Sequence, residues 1–430
     1  MGPAYPDGMA EAGETAKGSS KMLLAVLIAL VVILAGTTAY FALRPAGTAG
    51  GTVTYVIGVE IAVSGPYAAD GPLRRDGAFL AINQMNAQLQ AAGSPIRFER
   101  VHVDSEGTAA RAIAQFESLV AAGVQVVVGP LSSAEVGAIA PLADTNRVVA
   151  ISPSATAPRL ALDDFVFRVA PNDAFQARAL TTLLDSFGIT KVAVMARDDD
   201  YGRGIANLTE SILEAAPYNG QVERVMYSTT TTDYSADVGV LSTRVSGFGT
   251  GPDRAVLLVA FEDDGIAILN LARQDNALSA VRWFGSESVK RPKFLDASTP
   301  TEIKDFLVAR NLTGFFPSPQ RSPVVEKFEA DYLAAYGRAP SPYAYYSYDA
   351  AMLAMLSILR AGVYDGAAIR SVLPEVGRTY IGASGHKVFD QYGDYAAADY
   401  RIWHVTLDAS TYAFTEIGTW FYASDTIAWD

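Results

Sequence analysis

Residues 124–156 read VQVVVGPLSSAEVGAIAPLADTNRVVAISPSAT, and this stretch decides the fold. It contains a β-branched run at residues 124–128, a helical pattern at 134–143 and a second apolar run at 148–151. A helix between two short buried strands is typical of a βαβ crossover, in which the strands are parallel and both faces of the sheet are covered. The stretch therefore predicts an α/β protein.

The same alternation extends over most of the chain after residue 52. Apolar, β-branched runs predict further strands, and helical patterns lie between most of them. The further predicted strands are residues 53–61, 96–103, 191–195, 222–227, 255–259 and 281–284, and the predicted helices include residues 77–89, 109–122 and 174–187. With this many strands we predict two doubly wound parallel-sheet lobes.

Two extended segments beside chain-breaking residues are the predicted crossovers between the lobes. They are residues 165–173 (FVFRVAPND) and 313–319 (TGFFPSP). Later helical patterns at residues 325–336 and 345–361 are expected to return the chain to the first lobe. Short strands around residues 387–389 and 400–405 are expected in the second lobe. The predicted boundaries are residues 53–171 and 317–384 for lobe 1, and residues 172–316 and 385–430 for lobe 2.

The N-terminal part carries a long apolar segment. Residues 22–43 read MLLAVLIALVVILAGTTAYFAL, without a charged residue, and a helix of this length is about 33 Å long, enough to span a bilayer. Lys17 and Lys21 before it place the N-terminal side in the cytoplasm. We expect a disordered cytoplasmic tail at residues 1–21, a transmembrane anchor at 22–43, a linker at 44–52 and an extracellular or periplasmic remainder. A cleaved secretory signal is the alternative.

Composition and the absence of motifs exclude several classes of protein. The chain has no cysteine, which excludes disulfides and thiolate metal sites. Its formal net charge of −13 argues against nucleic-acid binding, because phosphate contacts need a basic face. No phosphate-binding loop, paired-histidine zinc motif or Gly-x-Ser-x-Gly motif occurs. We therefore predict no catalytic residues, no metal and no cofactor.

Hydroxyl side chains follow two neighbouring strands of the quoted stretch. Ser132 and Ser133 come after the first strand and lead into a helix, and Ser154 and Thr156 follow the second strand. Ligands of open α/β sheets bind beyond the carboxyl ends of the strands. Hydroxyls and free N–H groups there suit a carboxylate or a phosphate. Ordinary helix caps and turns are the alternative interpretation.

Carboxylates and aromatic rings follow the strands of the second half. Residues 198–200 and Tyr201 follow one strand, Phe261 and residues 263–264 follow another, and Glu287 follows a third. The aspartates suit the first turns of helices, where they complement the helix dipole, but no such pattern surrounds Glu287. A carboxylate suits a cationic ligand group, and an aromatic ring supplies an apolar wall.

At these loops the sequence resembles the branched-chain amino-acid-binding (Leu/Ile/Val-type) family, the type I periplasmic solute-binding proteins that serve ABC importers. The resemblance covers nearly all of residues 53–430, and the matching segments occur in the family's order and spacing. These segments are Ser64-Gly65-Pro66, residues 129–133 (GPLSS), residues 152–158 (SPSATAP), Asp200-Tyr201-Gly202 and Gly285-Ser286-Glu287. Each motif is weak by itself, and the ordered set is specific.

The resemblance implies a bound α-amino acid. The ligand carboxylate would be held by the hydroxyls of Ser133 and Thr156 with nearby backbone N–H groups. The ligand ammonium would lie between Glu287 and the backbone carbonyl of Ser154. Both charges of a zwitterion need such partners once water is expelled.

Further positions of the resemblance concern closure and specificity. Tyr201 would close over the ligand from the second lobe, and Phe261 stands where relatives often carry tyrosine. Asp70 stands in a loop where an aromatic ring often packs against the ligand, and Ser154 stands where a smaller apolar residue is common. These departures predict a polar or basic amino acid rather than strictly leucine, isoleucine or valine.

The resemblance therefore predicts a membrane-tethered receptor that captures an amino acid and delivers it to an ABC permease. A binding protein for an amide, urea or a short peptide would use the same fold, but Glu287 argues against it. A sensory ectodomain working with a partner chain is a further alternative. A hydrolase would need a nucleophile and a base, which the motifs do not supply.

Overall fold

The computed structural model describes residues 51–430 except 318, 320 and 397. The predicted tail at residues 1–21, the predicted transmembrane helix at 22–43 and the linker up to residue 50 lie outside the described residues. Residues 54–85 and 98–430 form one compact unit, which contains the whole candidate site. The remaining described residues, 51–53 and 86–97, belong to a second unit.

Two sheets organise the chain. The first is six-stranded, with the order β13-β5-β4-β3-β1-β2, and its pairings β1–β3, β3–β4, β4–β5 and β5–β13 are parallel. Its strands are β1 Val53–Glu60, β2 Ile96–Val103, β3 Val126–Val128, β4 Val149–Ser152, β5 Val166–Pro171 and β13 Asp394–Tyr395. The strands β3, β4 and β5 are buried along their whole length, as expected where helices cover both faces of a parallel sheet.

The second sheet is eight-stranded, with the order β16-β15-β14-β10-β9-β8-β6-β7. Its parallel strands are β6 Lys191–Arg197, β7 Gln221–Tyr227, β8 Arg254–Val259, β9 Arg282–Gly285 and β10 Thr313–Phe316. An antiparallel extension follows β10, made of β14 Tyr400–Asp408, β15 Thr411–Phe421 and β16 Thr426–Trp429. A short hairpin of β11 Ile381–Gly382 and β12 Gly385–His386 forms a separate pair.

Helices connect the parallel strands in the way that the βαβ pattern predicts. They are α1 Gly71–Ala91, α2 Ala109–Ala121, α3 Ser133–Asn146, α4 Asp173–Ser186, α5 Asp200–Glu214, α6 Ser235–Gly247, α7 Glu262–Ala272, α8 Thr301–Ala309, α9 Pro323–Tyr336, α10 Ala344–Ala361 and α11 Gly366–Thr379. Helix α10 packs on β3, β4 and β5, so the chain returns to the first sheet after leaving the second.

The predicted strands before residue 300 are confirmed, and the predicted crossover segments contain β5 and β10. The strand expected around residues 387–389 is not formed there: β12 ends at His386, and Phe389 makes only an isolated bridge with Tyr395. Strand β13, in a segment predicted for lobe 2, lies in the first sheet. The lobe boundaries themselves stay a prediction.

No single helix within the described ranges is both long and apolar enough to cross a membrane. Helices α10 and α11 meet that test only together, with a bend of 112° between them. Many side chains of α10 are buried against the sheet, which accounts for its apolar character.

A buried ion pair attaches β13 to β5. The Arg168 Nε atom donates to Asp394 Oδ1 at 2.6 Å, and a second guanidinium nitrogen contacts the other carboxylate oxygen. Arg168 also donates to the carbonyl of Ala157 at 2.8 Å. Because both side chains are at most 4% exposed, removal of one charge leaves the other buried without its counter-ion.

We predict that Asp394→Asn lowers the free energy of unfolding by about 3 kcal/mol, the cost of breaking a buried pair. Urea denaturation would measure it. The matched control is Glu375→Gln, which breaks the exposed Arg360–Glu375 pair of 2.8 Å and should cost less than about 1 kcal/mol. Equal effects of the two substitutions would contradict the assigned role of Asp394.

Candidate functional site

A narrow cavity lies where the carboxyl ends of strands from both sheets meet. Its lining combines hydroxyls, aromatic rings, one carboxylate and two guanidinium groups. The lining residues are Tyr67, Arg74, Leu131, Ser132, Ser133, Ser154, Tyr201, Phe261, Glu287, Ser288, Arg291 and Tyr343. Among the residues predicted from the sequence, Ser133, Ser154, Tyr201, Phe261 and Glu287 are brought together here.

The predicted residues Thr156 and Asp70 are buried beside the cavity but do not line it. Thr156 lies behind Ser133, whose Oγ accepts its backbone N–H at 3.2 Å. Asp70 lies behind Arg74 and forms an ion pair with it. The aromatic ring that faces the cavity from this loop is that of Tyr67, so Asp70 does not take the place of a ligand-facing side chain.

The hydroxyl loop before α3 is held by a capping box. Ser132 is the N-cap, and its Oγ accepts the backbone N–H of Glu135 at 3.2 Å. The Glu135 carboxylate accepts in return from the Ser132 backbone N–H at 2.8 Å. The helix-cap interpretation is therefore correct for Ser132, and it frees Ser133, at the first helical position, to face the cavity.

Ser133 joins the two strand-end loops. Its Oγ accepts the backbone N–H groups of Thr156 at 3.2 Å and Ala157 at 3.1 Å. With these two N–H groups directed at its oxygen, the hydroxyl proton of Ser133 is available as a donor. The first backbone N–H groups of α3, which have no partner within the helix, lie at the same place. This end of the cavity suits an anion.

Glu287 follows β9 in a short 3₁₀ helix, Glu287–Val289, and is buried. Its carboxylate accepts the hydroxyl of Tyr201 at 2.9 Å and the hydroxyl of Tyr343 at 3.3 Å. Its backbone N–H donates to Gln176 Oε1 at 3.0 Å. Burial raises the pKa of Glu287 above its ordinary value, although the Tyr201 hydrogen bond acts in the opposite direction. A cation beside it would favour the ionised form.

Aromatic rings close the cavity between the two sheets. Tyr67, in the loop after β1, lies 5.5 Å from the ring of Phe261, in the loop after β8. The rings of Phe261 and Tyr201 are stacked at 5.9 Å. These distances are typical of attractive aromatic pairs. The contacting rings come from loops of both sheets, so the arrangement is that of a closed cleft.

Arg197, which does not line the cavity, packs against the ring of Phe261. The guanidinium of Arg197 lies 3.7 Å from the centre of the Phe261 ring. Arg197 also pairs with Asp199 at 2.7 Å and with Asp264 at 2.5 Å. The aspartates that we predicted as first-turn residues thus hold Arg197 in place, and Asp199 additionally caps α5.

Sequence reasoning missed the two arginines in the lining. Arg74 lies in the first turn of α1, pairs with Asp70 and donates from Nη1 to Ser154 Oγ at 2.9 Å. Its four-residue spacing from Asp70 was a signal of an ion pair on one helix face. Arg291 follows the Glu287 segment in a turn, and no local pattern indicates where its side chain lies.

Metal ligands do not cluster within the described ranges, since no group of three or more histidine, aspartate or glutamate side chains could hold an ion there. The three histidines are spread over β2, β12 and β14. The chemistry of the cavity lining suits a small organic ligand with an anionic end at Ser133 and a cationic end at Glu287.

The fold and this cavity define a ligand-binding protein of the type I periplasmic binding protein class. Residues 74–408 match the family described as the receptor family ligand binding region. The chain belongs to this family.

Several proteins and solved structures are similar to this chain over most of its length. An uncharacterized protein of Methanocaldococcus jannaschii is 23% identical over 393 residues, covering 87% of this chain and 91% of that protein. The Leu/Ile/Val-binding protein BraC3 of Rhizobium johnstonii is 25% identical over 362 residues, covering 81% and 90%. The solved structure of the leucine binding protein LivK of Thermotoga maritima has a TM-score of 0.69 at 23% identity, covering 84% and 97%. The resemblance found at the loops is confirmed, and so is the expectation of a solute-binding protein rather than an enzyme.

We predict that Glu287→Gln changes how stability depends on pH in the ligand-free protein. A carboxyl group whose pKa is raised by folding stabilises the fold at low pH, and this contribution is lost as the pH rises through the raised pKa. Glutamine does not titrate, so the melting temperature of the variant relative to the wild type should increase from pH 5 to pH 8. Thermal melts across that range would measure it. Glu375→Gln, at an exposed site, is the control. Parallel curves of melting temperature against pH for Glu287→Gln and the wild type would contradict a raised pKa for Glu287.

Proposed function

We propose that this protein is the extracytoplasmic receptor of an ABC importer and that it captures an α-amino acid between two closing lobes. One observation carries the proposal: an anion-binding end at Ser133 and a buried carboxylate, Glu287, line the same cavity. A zwitterion needs both groups when it is removed from water, because each of its charges must be paired there.

At one end, the ligand carboxylate accepts hydrogen bonds from the Ser133 hydroxyl and from the first backbone N–H groups of α3. The positive end of the helix dipole adds to this attraction. Thr156 supports the arrangement through its backbone N–H, which fixes the Ser133 oxygen at 3.2 Å. In this proposal the role of Thr156 is to position Ser133. The hydroxyl of Thr156 has no hydrogen-bond partner within the described residues.

At the other end, the ligand ammonium lies against Glu287 and the carbonyl of Ser154. Tyr201 and Tyr343 already donate to the Glu287 carboxylate, so this carboxylate is oriented before the ligand arrives. A charge-assisted hydrogen bond from an ammonium group is among the stronger interactions available in a buried site.

Ligand entry requires the aromatic contacts across the cleft to separate. Tyr67 and Phe261 touch in the present conformation, and the site is lined by loops of both sheets. We propose hinge opening between the predicted lobes, residues 53–171 with 317–384 and residues 172–316 with 385–430, about the crossovers near β5 and β10. In the closed form the lobes would exclude water from both charges of the ligand.

The family supports a partner in the membrane. Relatives named as Leu/Ile/Val-binding proteins support delivery of the ligand to an ABC permease. The predicted helix at residues 22–43 would tether the receptor to the bilayer, and the linker at 44–52 would set its reach toward the permease. A sensory ectodomain would bind the ligand in the same way but signal through a partner chain.

The cavity is less suited to amide-type ligands and to amino acids with a basic side chain. Glu287 speaks against an amide, urea or short peptide without a free ammonium group beside it. Asp70 is paired with Arg74, and Arg74 itself lines the cavity. The predicted attraction for a basic side chain is therefore cancelled at this position.

We predict that at least one α-amino acid of a panel of twenty binds to the purified protein and that Glu287→Gln weakens its binding by at least about 1.5 kcal/mol, the low end for a charged hydrogen bond. Isothermal titration calorimetry would measure both affinities. Glu375→Gln should bind as the wild type does. Failure of every amino acid, with binding of acetamide or urea, would overturn the proposal.

A further inference from the structure

One guanidinium in the cavity has donors that the fold does not use. Arg291 lines the cavity and is 3% exposed, and its Nε and Nη1 atoms have no hydrogen-bond partner in the part of the chain that the structure describes. Buried guanidinium groups normally pair with carboxylates, because an uncompensated buried charge is costly. Two unused donors of a guanidinium in a binding cavity therefore point to a ligand group that pairs with them.

The other charges at the cavity are accounted for. Arg74 is neutralised by Asp70 and bonded to Ser154. Under the proposed function, the anion-binding end at Ser133 takes the α-carboxylate, and Glu287 takes the α-ammonium. Arg291 is the remaining charge in the lining, and neither end of the ligand backbone has been assigned to it.

Aromatic rings hold Arg291 in place. Its guanidinium lies 4.4 Å from the ring centre of Phe261 and 5.2 Å from that of Tyr67. Arg197 stacks on Phe261 as well, at 3.7 Å. A planar guanidinium held by rings loses little freedom when a carboxylate binds to its fork of donors.

Nearby protein carboxylates do not replace such a ligand group. The charges of Glu262 and Asp70 act on Arg291, but within the described residues neither carboxylate is joined to it by an ion pair. Burial raises the pKa of Glu262 to about 7, so it is only partly ionised near neutral pH. Asp70 is already bound to Arg74.

We propose that the ligand is an acidic α-amino acid of the glutamate or aspartate class, whose side-chain carboxylate pairs with Arg291. The inference rests on the proposed function, because it assigns the side-chain subsite of the same cavity. An aliphatic side chain would leave the guanidinium without a partner, and a basic side chain would be repelled by it. Tyr67 and Phe261 form the walls along which the ligand methylene groups pack.

Calorimetry with matched ligands tests the inference in the wild-type protein. Glutamate or aspartate should bind at least about tenfold more tightly than its amide, since a hydrogen bond to a charged group contributes on the order of 1.5 kcal/mol or more. Leucine, isoleucine or valine binding as tightly as glutamate and aspartate would overturn the inference and leave the proposed amino-acid function standing.

Glutarate and 4-aminobutyrate separate this inference from the proposed function. Glutarate lacks the ammonium group and 4-aminobutyrate lacks the α-carboxylate, so both should bind far more weakly than glutamate. Glutarate binding as tightly as glutamate, or failure of every α-amino acid to bind, would overturn the proposed function and the inference with it.

The variant Arg291→Gln should weaken binding of the acidic amino acid at least about tenfold while changing the affinity for its amide much less. Arg291→Lys, which keeps the charge, should recover part of the loss. Arg360→Gln, at an exposed position, is the matched control, and melting temperatures would verify that each variant is folded. Equal losses for the acid and the amide in Arg291→Gln would show a structural role and overturn the inference.

Discussion

The parallel βαβ crossover is the constraint on which the rest of the structure depends. Because every crossover returns the chain in the same direction, the carboxyl ends of the strands meet at one edge of each sheet. Loops that are far apart in sequence thereby become neighbours, as for Ser133 after β3 and Thr156 after β4. A second sheet built by the same rule supplies Tyr201, Phe261 and Glu287 from its own strand ends. Binding residues can change at this edge without disturbing the buried strands.

The second constraint is that a buried charge needs a partner. Some of the charges at the cavity have one and others do not. Arg168 and Asp394 neutralise each other within the fold, and Arg74 and Asp70 do so at the cavity wall. Glu287 accepts two tyrosine hydroxyls but forms no ion pair within the described residues, and burial raises its pKa. These two ion pairs are neutralised inside the protein, whereas Glu287 and Arg291 at the site are paired only in part. A charged side chain that is incompletely paired in a cleft, and whose pKa is therefore shifted, is a candidate for a functional role.

The fold and several residues of the cavity lining, Ser133 and Glu287 among them, could be predicted from the sequence because they depend on local patterns after strands. Apolar runs and helical periods identify strands such as β8, and the hydroxyls that follow β3 and β4 come directly after them in the chain. The two arginines of the lining could not be predicted in this way. Arg291 reaches the cavity through a turn without periodicity, and the ion pair that places Asp70 behind Arg74 was not predicted. The C-terminal strand β15 was missed because most of its side chains are at least partly exposed, so its apolar signal is weak.

Phe261 connects these observations, because its ring contacts Tyr67, Tyr201 and two arginines. Arg197 is held by Asp199 and Asp264, while Nε and Nη1 of Arg291 have no hydrogen-bond partner within the described residues. The ring thus contacts one guanidinium that is paired within the fold and one whose donors are not all used by the fold. Opening of the cleft would part Phe261 from Tyr67 but would leave its contacts with Arg197 and Arg291 intact, since Arg197 ends β6 and the other two residues follow β8 and β9 of the same sheet. An anion arriving in the open cleft would meet Arg291 already oriented, and closure would then bring Tyr67 and the hydroxyl loops of the first sheet onto it. In this order of events, residues of the second sheet would select the side chain of the proposed ligand, and residues of the first sheet would then bind its α-carboxylate.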